Sequence, residues 1–371
     1  MKIGFDAKRA FHNQTGLGNY SRTLITGMLQ QFPENEYFLF NTPGAQELPY
    51  FSRSLQESGA PFRIIQGSKL ARLFGWGSKA ERLDLDIYHG LSNEIPFDLN
   101  KRKVKSVVTV HDLIFKRFPE GYKAADRWIY DRKCRFLAKH AHLILATSRQ
   151  TAADMEEFYP GSRGKVEVVY QDCDPAFHYR RRPEAIAKVL YKYDLVEKPY
   201  ILCVSKLEKR KNHKILLEAF RKVMDQIPED LVLVGGRGDE ADTVLEQMDH
   251  MNGRLRWLGR VDNDELVNLY DGSAFTVYPS LFEGFGIPLL ESMRRGKAMV
   301  SSEGSCFGEI AGQTALYADP ASAEELAGCI FSLSGNQALR SKLEAACPAE
   351  AQRFDPKKIT EQIMEKYRNL L

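Results

Sequence analysis

The chain has 371 residues, a net charge of +3 and 43% hydrophobic residues. This length fits two domains with substantial cores, because domains typically contain about 100 to 200 residues. The small net charge gives no indication of nucleic-acid binding. The six cysteines lack the paired spacing of zinc sites or disulfide frameworks, so we expect reduced thiols and no metal site.

The first elements in chain order are a strand, a glycine turn and a helix. Residues 1–6 read as a strand, and since Met1 leads directly into it, we expect a cytoplasmic protein without a signal peptide. No run in the sequence approaches the ~20 apolar residues of a membrane-spanning helix. Gly16 and Gly18 precede a helix predicted over 21–31. By spacing alone, this turn is either a tight strand-to-helix connection or part of a ligand site.

Two later segments of the first half place polar side chains at predicted strand ends. Residues 86–96 read as a strand and an edge loop, and residues 105–110 as a strand rich in β-branched side chains. Polar groups at the carboxyl edge of a parallel sheet often bind ligands, although a histidine there, taken without context, is more often a hydrogen-bonded structural residue. The candidate residues are His89, Glu94, His111 and Asp112.

The middle of the chain is charged and contains several prolines. The cluster at 180–182 and the prolines around it predict a linker over residues 181–198. A strand over 200–205 follows and opens into the basic segment from Lys206 to Lys211. Cations at the carboxyl end of a strand suit a diphosphate, and a solvated basic loop is the alternative. Lys206 and Lys211 are therefore the candidate phosphate-binding cations.

Three further elements precede the most informative motif. Residues 231–238 read as a strand that ends in glycines, and residues 256–262 as a short strand and turn. Asp262 is the predicted N-cap of the next helix. A strand over 274–280 then leads into the glutamate motif.

The segment Glu283-Gly-Phe-Gly-Ile-Pro-Leu-Leu-Glu291 places two carboxylates around a glycine turn that enters a helix. Its glycines allow a tight turn, and Pro288 suits the first position of a helix. The amides of residues 285–287 would face a phosphate at the helix N-terminus. Glu291, one turn inside the helix, suits the two hydroxyls of a ribose. Taken alone, the two glutamates fit a solvent-facing helix start equally well.

The ordered segments VSKLEKRKN, LVGGRG, RWLGRVDNDEL and YPSLFEGFGIPLLE resemble the retaining nucleotide-sugar glycosyltransferases of family 4. The resemblance implies an α/β fold of two Rossmann-like domains, the GT-B architecture, whose parallel sheets face a central interdomain cleft. It places the acceptor-side domain at 1–180 and the nucleotide-sugar-binding domain at 199–353, with the linker between them. Residues 354–371 would form a helix that crosses back to the first domain.

The resemblance also implies roles for individual residues. Glu291 would hold the ribose, and Glu283 would contact hydroxyls of the donor sugar. The basic pair of the family, usually arginine then lysine, falls on Lys206 and Lys211, so the first position lacks the bidentate fork of arginine. His111 would touch the donor sugar. The predicted catalytic residues are Glu283, Lys206, Lys211 and His111. The remaining donor-binding positions are Gly16, Gly18, Arg260, Val261, Phe285, Gly286 and Ile287.

The predicted reaction is the retaining, metal-independent transfer of a hexose to a saccharide acceptor, with the nucleotide sugar as substrate and no cofactor. GDP-mannose is the favoured donor, followed by UDP-hexoses, and the expected acceptor is a lipid-linked surface polysaccharide or lipopolysaccharide precursor. His89, Glu94 and Asp112 are acceptor-side candidates. A nucleotide-sugar epimerase of the same architecture and a catalytically silent nucleotide-sugar-binding subunit are the alternatives.

Two segments leave other interpretations open. Residues 68–79 mix cations with Leu70 and Phe74, and would either contact an anionic membrane at the inner face or pack their apolar side on the domain. Asp84 and Asp86 have a spacing that can bind metal, but they precede a predicted strand away from the inferred donor site. We therefore predict no metal there.

Overall fold

The computed structural model describes residues 1–43 and 49–371. These residues form two compact units, one made of residues 1–173 and 354–371 and the other of residues 174–353. Each unit contains a parallel sheet flanked by helices, as the sequence predicted. No helix in the described ranges is long and apolar enough to cross a membrane.

The described part of the first unit contains a seven-stranded sheet in the order β3-β2-β1-β4-β5-β6-β7, with parallel pairing throughout. Its strands are β1 (Lys2–Asp6), β2 (Glu36–Asn41), β3 (Phe62–Gln66), β4 (Ile87–Gly90), β5 (Lys105–Val110), β6 (Leu143–Ala146) and β7 (Val166–Val168). Its helices are α1 (Lys8–His12), α2 (Gly16–Gln31), α3 (Pro49–Glu57), α4 (Lys69–Phe74), α5 (Trp76–Arg82), α6 (Ile114–Arg117), α7 (Ala124–His140), α8 (Arg149–Phe158) and the terminal helix α17 (Pro356–Leu370).

The second unit contains a six-stranded parallel sheet in the order β10-β9-β8-β11-β12-β13. Its strands are β8 (Tyr200–Val204), β9 (Asp230–Val234), β10 (Leu255–Trp257), β11 (Phe275–Tyr278), β12 (Met299–Ser302) and β13 (Ala315–Ala318). Its helices are α9 (Pro183–Lys192), α10 (His213–Val223), α11 (Ala241–Met248), α12 (Asn263–Gly272), α13 (Ile287–Arg294), α14 (Phe307–Ala311), α15 (Ala323–Gly335) and α16 (Gln337–Ala351).

Helices cover both faces of each sheet, which explains why the central strands read as continuous apolar runs. In β8, for example, Ile201, Leu202 and Cys203 are all buried although they alternate between the two faces. The terminal helix α17 belongs to the first unit, where Ile363 and Tyr367 lie fully buried in its core. The sequence pattern therefore accounts for the layered α/β structure of each unit.

The strand order reverses once in each sheet, between β1 and β4 in the first and between β8 and β11 in the second. Loops that leave neighbouring strands in opposite directions open a crevice at the carboxyl edge, and ligands of open α/β sheets bind there. The candidate site residues of both units follow these strands or their neighbours. This topology explains how segments distant in sequence come together.

The predicted linker over 181–198 is corrected by the structure, because it contains helix α9 and lies inside the second unit, which begins at residue 174. Helix α9 packs on α12, buries Val189, and is linked to it by a hydrogen bond of 2.7 Å from the Tyr193 hydroxyl to Glu265. The arginines at 180–182, just before the helix, indicated a linker, although Pro183 at its start is a usual helix-initiation signal.

The first helix of the glycine turn also begins earlier than predicted, at Gly16 rather than at residue 21. Gly18 lies inside its first turn, where a Cβ atom would approach the Asn13 carbonyl oxygen to 1.8 Å. The glycine at this position is therefore required by a close approach of the backbone. Gly16, by contrast, has open space around it.

Candidate active site

Glu283 lies in the loop between β11 and α13, at the carboxyl edge of the second sheet, and is only 7% exposed. Its Oε1 accepts hydrogen bonds of 2.5 Å from both Lys211 Nζ and the Ser280 hydroxyl. Arg210 Nη1 lies 2.6 Å from the same oxygen. The lysine also donates to the Tyr278 hydroxyl at 3.0 Å. Two cations and a hydroxyl thus converge on one buried carboxylate.

The electrostatics of this cluster keep Glu283 ionised. Burial by itself would raise the pKa of its carboxyl group, but the charges of Lys211 and Arg210 and the hydrogen bonds outweigh burial and lower the pKa to about 2. A carboxylate held in its charged form accepts hydrogen bonds from hydroxyl groups and does not protonate at neutral pH. Glu283 is therefore suited to hold sugar hydroxyls and unsuited to act as a general acid.

Arg210 is a site residue that the sequence reasoning missed. Its guanidinium donates to the Phe282 carbonyl at 2.6 Å, and its own carbonyl accepts the Leu281 amide at 2.8 Å. Arg210 therefore fixes the loop that carries Glu283 as well as contributing charge. The basic run indicated that cations gather here, but it gave no sign of which of them would reach the glutamate.

Lys206, the first member of the predicted basic pair, lies apart from this cluster. Its Nζ donates to Glu208 at 2.6 Å, and about half of its side chain is exposed. Of the two predicted cations, the structure brings only Lys211 to Glu283. Lys206 is a residue that would need to exchange Glu208 for a phosphate in order to contribute.

The loop after Glu283 turns into helix α13 through Gly286, whose φ of 83° lies in the left-handed region that favours glycine. Ile287 is the first helical residue, so Pro288 occupies the second helical position rather than the predicted first. Ser305 fixes the start of the loop: its hydroxyl accepts from the Glu283 amide at 3.1 Å and donates to the Glu283 carbonyl at 3.0 Å. Phe285 is buried and anchors the turn.

Glu291 lies one turn inside α13 and is 9% exposed. The buried Tyr270 hydroxyl of α12 donates to its Oε2 at 2.9 Å. Burial raises the pKa of Glu291 to about 7, only partly opposed by the Tyr270 hydrogen bond. The two glutamates of the motif therefore differ: Glu283 is permanently charged, whereas Glu291 changes charge near neutral pH.

Arg260 and Val261 follow β10, at the same carboxyl edge. Arg260 is exposed, and its guanidinium lies over Gly236 of the glycine segment that follows β9. The Trp257 indole donates to the Gly235 carbonyl at 2.9 Å, which ties the two loops together. Asp262 caps α12 as predicted, since its Oδ1 accepts the Glu265 amide at 2.8 Å.

The first unit contains a cavity of about 390 Å³ at the strand reversal of its sheet, a volume within the usual range of ligand sites. It is lined by residues that follow β1, β4 and β5 and by side chains of α2, α4 and α7. The lining residues are Lys8, Arg9, Leu17, Arg72, Ser92, Asn93, Glu94, His111, Asp112, Phe115, Tyr122, Tyr130, Lys133 and Cys134. Three of the four histidine and acidic candidates of this unit therefore share one cavity.

His111 is a neutral imidazole on the wall of this cavity. Burial lowers its pKa to about 4, and its Nε2 donates to the Leu91 carbonyl at 2.9 Å. The ring also meets the edge of Tyr20, with the centroids 4.7 Å apart. Because the ring stays neutral at pH 7 and its Nε2 proton is donated to Leu91, His111 carries no charge, and its Nδ1 can only accept a hydrogen bond.

The prediction that His89 lies on the acceptor side is wrong. Its side chain is fully buried inside the first unit, with Nδ1 2.5 Å from the Tyr367 hydroxyl and Nε2 2.8 Å from the Thr109 hydroxyl. Burial lowers its pKa to about 3. His89 joins the terminal helix to the sheet and cannot reach a ligand.

The remaining acidic candidates have structural partners. Glu94 forms ion pairs with Arg72 and Lys133 on the cavity wall. Asp112 accepts the Ile114 amide at 3.1 Å and so starts helix α6. Asp86, of the pair at 84 and 86, accepts the Lys2 amide at 2.7 Å, which places it at the amino end of β1 and away from the cavity.

The two units define an α/β protein whose candidate site residues lie at the carboxyl edges of two Rossmann-like sheets. Residues 15–177 match the model of Glycosyltransferase Family 4, and residues 192–349 match that of Glycosyl transferases group 1. Together these matches span most of the chain. The chain therefore belongs to the family 4 glycosyltransferases with the GT-B fold and is a hexosyltransferase.

Similar proteins agree with this assignment. The chain is 29% identical to the O-antigen chain mannosyltransferase B of Escherichia coli over 289 residues, which is 76% of this chain and 74% of that protein. It is 31% identical to the phosphatidyl-myo-inositol mannosyltransferase of Mycolicibacterium smegmatis over 163 residues, or 43% of this chain and 42% of that protein. These similarities favour glycosyl transfer over the epimerase alternative.

A solved structure supports the fold. Anabaena HepE in complex with UDP and glucose superposes with a TM-score of 0.75 at 20% identity, covering 100% of both chains. At this identity the likeness establishes the GT-B architecture alone.

Proposed function

We propose that the protein transfers mannose from GDP-mannose, with retention of the anomeric configuration, to a saccharide acceptor on a lipid-linked surface polysaccharide or lipopolysaccharide precursor. The observation that carries this proposal is the cluster at the second strand reversal, where Lys211 and Arg210 hold an ionised, buried Glu283 at the start of α13. The mannosyltransferase names of the similar proteins support the choice of sugar.

In this proposal, each part of GDP-mannose contacts a different group at the carboxyl edge of the second sheet. The diphosphate lies at the start of α13, where the helix dipole and Lys211 supply positive charge. Glu283 accepts hydrogen bonds from hydroxyls of the mannose, and Glu291 accepts them from the ribose. Arg260 and Val261 border the nucleobase. Positive charge from side chains and helix replaces a divalent metal in this arrangement.

In the proposed reaction, the bond between the anomeric carbon and the leaving phosphate oxygen breaks as an acceptor hydroxyl bonds to the same face of that carbon. The hydroxyl proton passes to the departing phosphate oxygen, which gains the electron pair of the broken bond. Negative charge therefore grows on the diphosphate in the transition state. Preorganised cations that face this charge supply the main catalytic effect.

Thermal stabilisation by nucleotides tests the donor. We expect GDP to raise the melting temperature of the chain more than UDP, ADP or TDP, with or without magnesium, since a ligand bound only by the folded state stabilises it. The same shift in the presence of EDTA is expected from a site that needs no metal. Equal or larger stabilisation by UDP would reassign the donor, and no shift with any nucleotide would contradict the proposed site.

A product assay separates transfer from a silent binding role. Incubation with GDP-mannose and membrane lipid extracts as acceptor source should yield GDP together with a mannosylated product that is stable to base and cleaved by an α-mannosidase. Tight GDP binding without any such product would favour the catalytically silent subunit.

We also propose a peripheral, cytoplasmic position at the inner face of an anionic membrane. Helix α4 supports it, because Leu70 and Phe74 are 72% and 61% exposed while Lys69 on the same short helix is also exposed. Trp76, in contrast, is fully buried, so the following helix α5 packs on the unit. Exposed apolar side chains next to cations suit an anionic bilayer.

Flotation with vesicles containing phosphatidylglycerol tests this position. We expect the wild-type chain to float at low salt, and Leu70→Ser/Phe74→Ser to float much less while retaining GDP binding. Ile64→Ser provides a control, since Ile64 is also exposed but lies on β3. Equal flotation of wild type and double variant would contradict the proposed contact.

A further inference from the structure

The cavity of the first unit carries more positive charge than its acids neutralise. Four cationic side chains line it, and two carboxylates, Glu94 and Asp112, lie on the same wall. Asp6 adds a third carboxylate just beneath the wall, where Arg72 contacts it at 2.8 Å. A cavity for a neutral saccharide has no need of this excess.

The four cations fall into two pairs with different partners. Arg72 bridges Asp6 and Glu94, and Lys133 contacts Glu94, so their charges are satisfied within the unit. Lys8 and Arg9, which follow β1, differ from them. Among the described residues, no carboxylate lies within ion-pair distance of either side chain, and the buried Nε of Arg9 has no hydrogen-bond partner.

The local electrostatics favour an anion beside Lys8. Burial is the main cause of a lowered pKa of Lys8, and the charges of Arg72 and Arg9 lower it further. Glu94 and Asp6 act in the opposite direction without cancelling this effect. A bound anion between Lys8 and Arg9 would relieve the repulsion between these cations.

We propose that Lys8 and Arg9 bind a phosphate group carried by the acceptor. A phosphate has two negative charges and several acceptor oxygens, which match one point-charge cation and one guanidinium fork. His111 and Asn93 on the same wall offer neutral polar contacts to the attached sugar. This inference rests on the proposed function in that the first unit binds the acceptor. It adds the chemical class of that acceptor.

The experiment compares mannose 6-phosphate, mannose, glucuronate and inorganic phosphate as ligands of the full chain, by calorimetry at millimolar concentration. We expect mannose 6-phosphate to bind more tightly than the other three. In Lys8→Gln/Arg9→Gln its dissociation constant should rise by about tenfold or more, because two charge-assisted contacts are lost. Lys103→Gln, which removes an exposed charge away from the cavity, should bind like the wild type.

The same variants separate the acceptor phosphate from the donor diphosphate. The dissociation constant for GDP should change less than about twofold in Lys8→Gln/Arg9→Gln. A tenfold loss of GDP affinity with unchanged binding of mannose 6-phosphate would overturn the proposal and assign both cations to the donor. Failure of the wild type to bind mannose 6-phosphate, or equal binding of glucuronate, would also overturn it.

A charge-preserving variant distinguishes the loss of charge from the loss of folded structure as the cause of weaker binding. Lys8→Arg should retain mannose 6-phosphate binding within about threefold, and circular dichroism and the melting temperature report whether each variant folds. If the double variant does not fold, Arg9→Gln alone replaces it, with the same expected direction. None of these measurements requires turnover, so an absence of mannosyl transfer would count against the proposed function and leave this test intact.

Discussion

Lys211→Ala is expected to lower kcat/KM for glycosyl transfer by about 10²- to 10³-fold, the loss typical of removing one preorganised group that faces charge developing in the transition state. Lys211 is the predicted cation that the structure places on Glu283, at 2.5 Å, and its hydrogen bond to the Tyr278 hydroxyl fixes its direction. The loss should appear mainly in kcat, because charge on the leaving diphosphate grows after the donor has bound.

The variant also changes the glutamate. With Lys211 gone, only Arg210 and the Ser280 hydroxyl oppose the effect of burial, so the pKa of Glu283 should rise from about 2 towards its ordinary value. Activity of Lys211→Ala should therefore fall more steeply below pH 6 than that of the wild type, since protonated Glu283 accepts fewer hydrogen bonds from the sugar. A pH profile of kcat/KM measures this difference.

Lys222→Ala is the matched control for this prediction. Lys222 lies near the end of α10, the helix that begins shortly after Lys211, and forms an ion pair of 2.9 Å with Glu324, far along the chain from the glutamate motif. Its loss should change kcat/KM less than about twofold. A tenfold or smaller effect of Lys211→Ala would contradict the assigned role, and a loss of the same size for Lys206→Ala would show that Lys206 leaves Glu208 when the donor binds.

The sequence predicted the architecture well because the signals of an α/β fold are local. Buried parallel strands such as β8 and β11 are short apolar runs, and amphipathic helices such as α10 follow them at regular intervals. Helix α9 escaped prediction because the arginines just before it and the prolines around it are typical of a linker. The packing of α9 on α12 is a tertiary contact, which a local sequence pattern cannot predict.

The candidate site was predictable only where spacing fixes geometry. Seven residues separate Glu283 from Glu291, so a turn and one helical turn must place both near the start of α13. Sequence spacing does not predict the direction in which a side chain points. His89 and His111 both occupy neighbouring parallel strands or their ends, yet one points into the core and the other lines a cavity. Lys206 and Arg210 belong to one basic run, and only the folded loop selects the arginine.

Glu291→Gln is expected to weaken GDP binding by about 10- to 100-fold at pH 8, or about 1.4 to 2.8 kcal/mol. A buried carboxylate can accept hydrogen bonds from both ribose hydroxyls, whereas an amide offers one acceptor oxygen and directs its NH₂ group at the other hydroxyl. Glutamine keeps the volume of the side chain and can still accept from Tyr270, which contacts Glu291 at 2.9 Å. Calorimetry with GDP measures the loss.

The raised pKa of Glu291 makes this binding pH-dependent. Because burial raises that pKa to about 7, the carboxyl group is mostly protonated at pH 6 and mostly ionised at pH 8. If the ribose selects the ionised form, affinity for GDP rises about tenfold over this interval. The free energy of unfolding depends on pH in the opposite direction. The raised pKa of Glu291 stabilises the folded state fully at pH values below the ordinary glutamate pKa, and this stabilisation is lost as the pH rises through 7. Glu291→Gln should therefore melt no lower than the wild type at pH 8.

Comparison of GDP with 2′-deoxy-GDP isolates the ribose contact from the titration of the nucleotide's own phosphate, which both ligands share. In the wild type, removal of the 2′-hydroxyl should weaken binding and reduce the rise in affinity between pH 6 and pH 8. In Glu291→Gln the two nucleotides should bind almost alike, with the same pH dependence. An undiminished preference for GDP over the deoxy ligand in Glu291→Gln would mean that the ribose lies elsewhere and that Glu291 only supports the packing of α13 on α12.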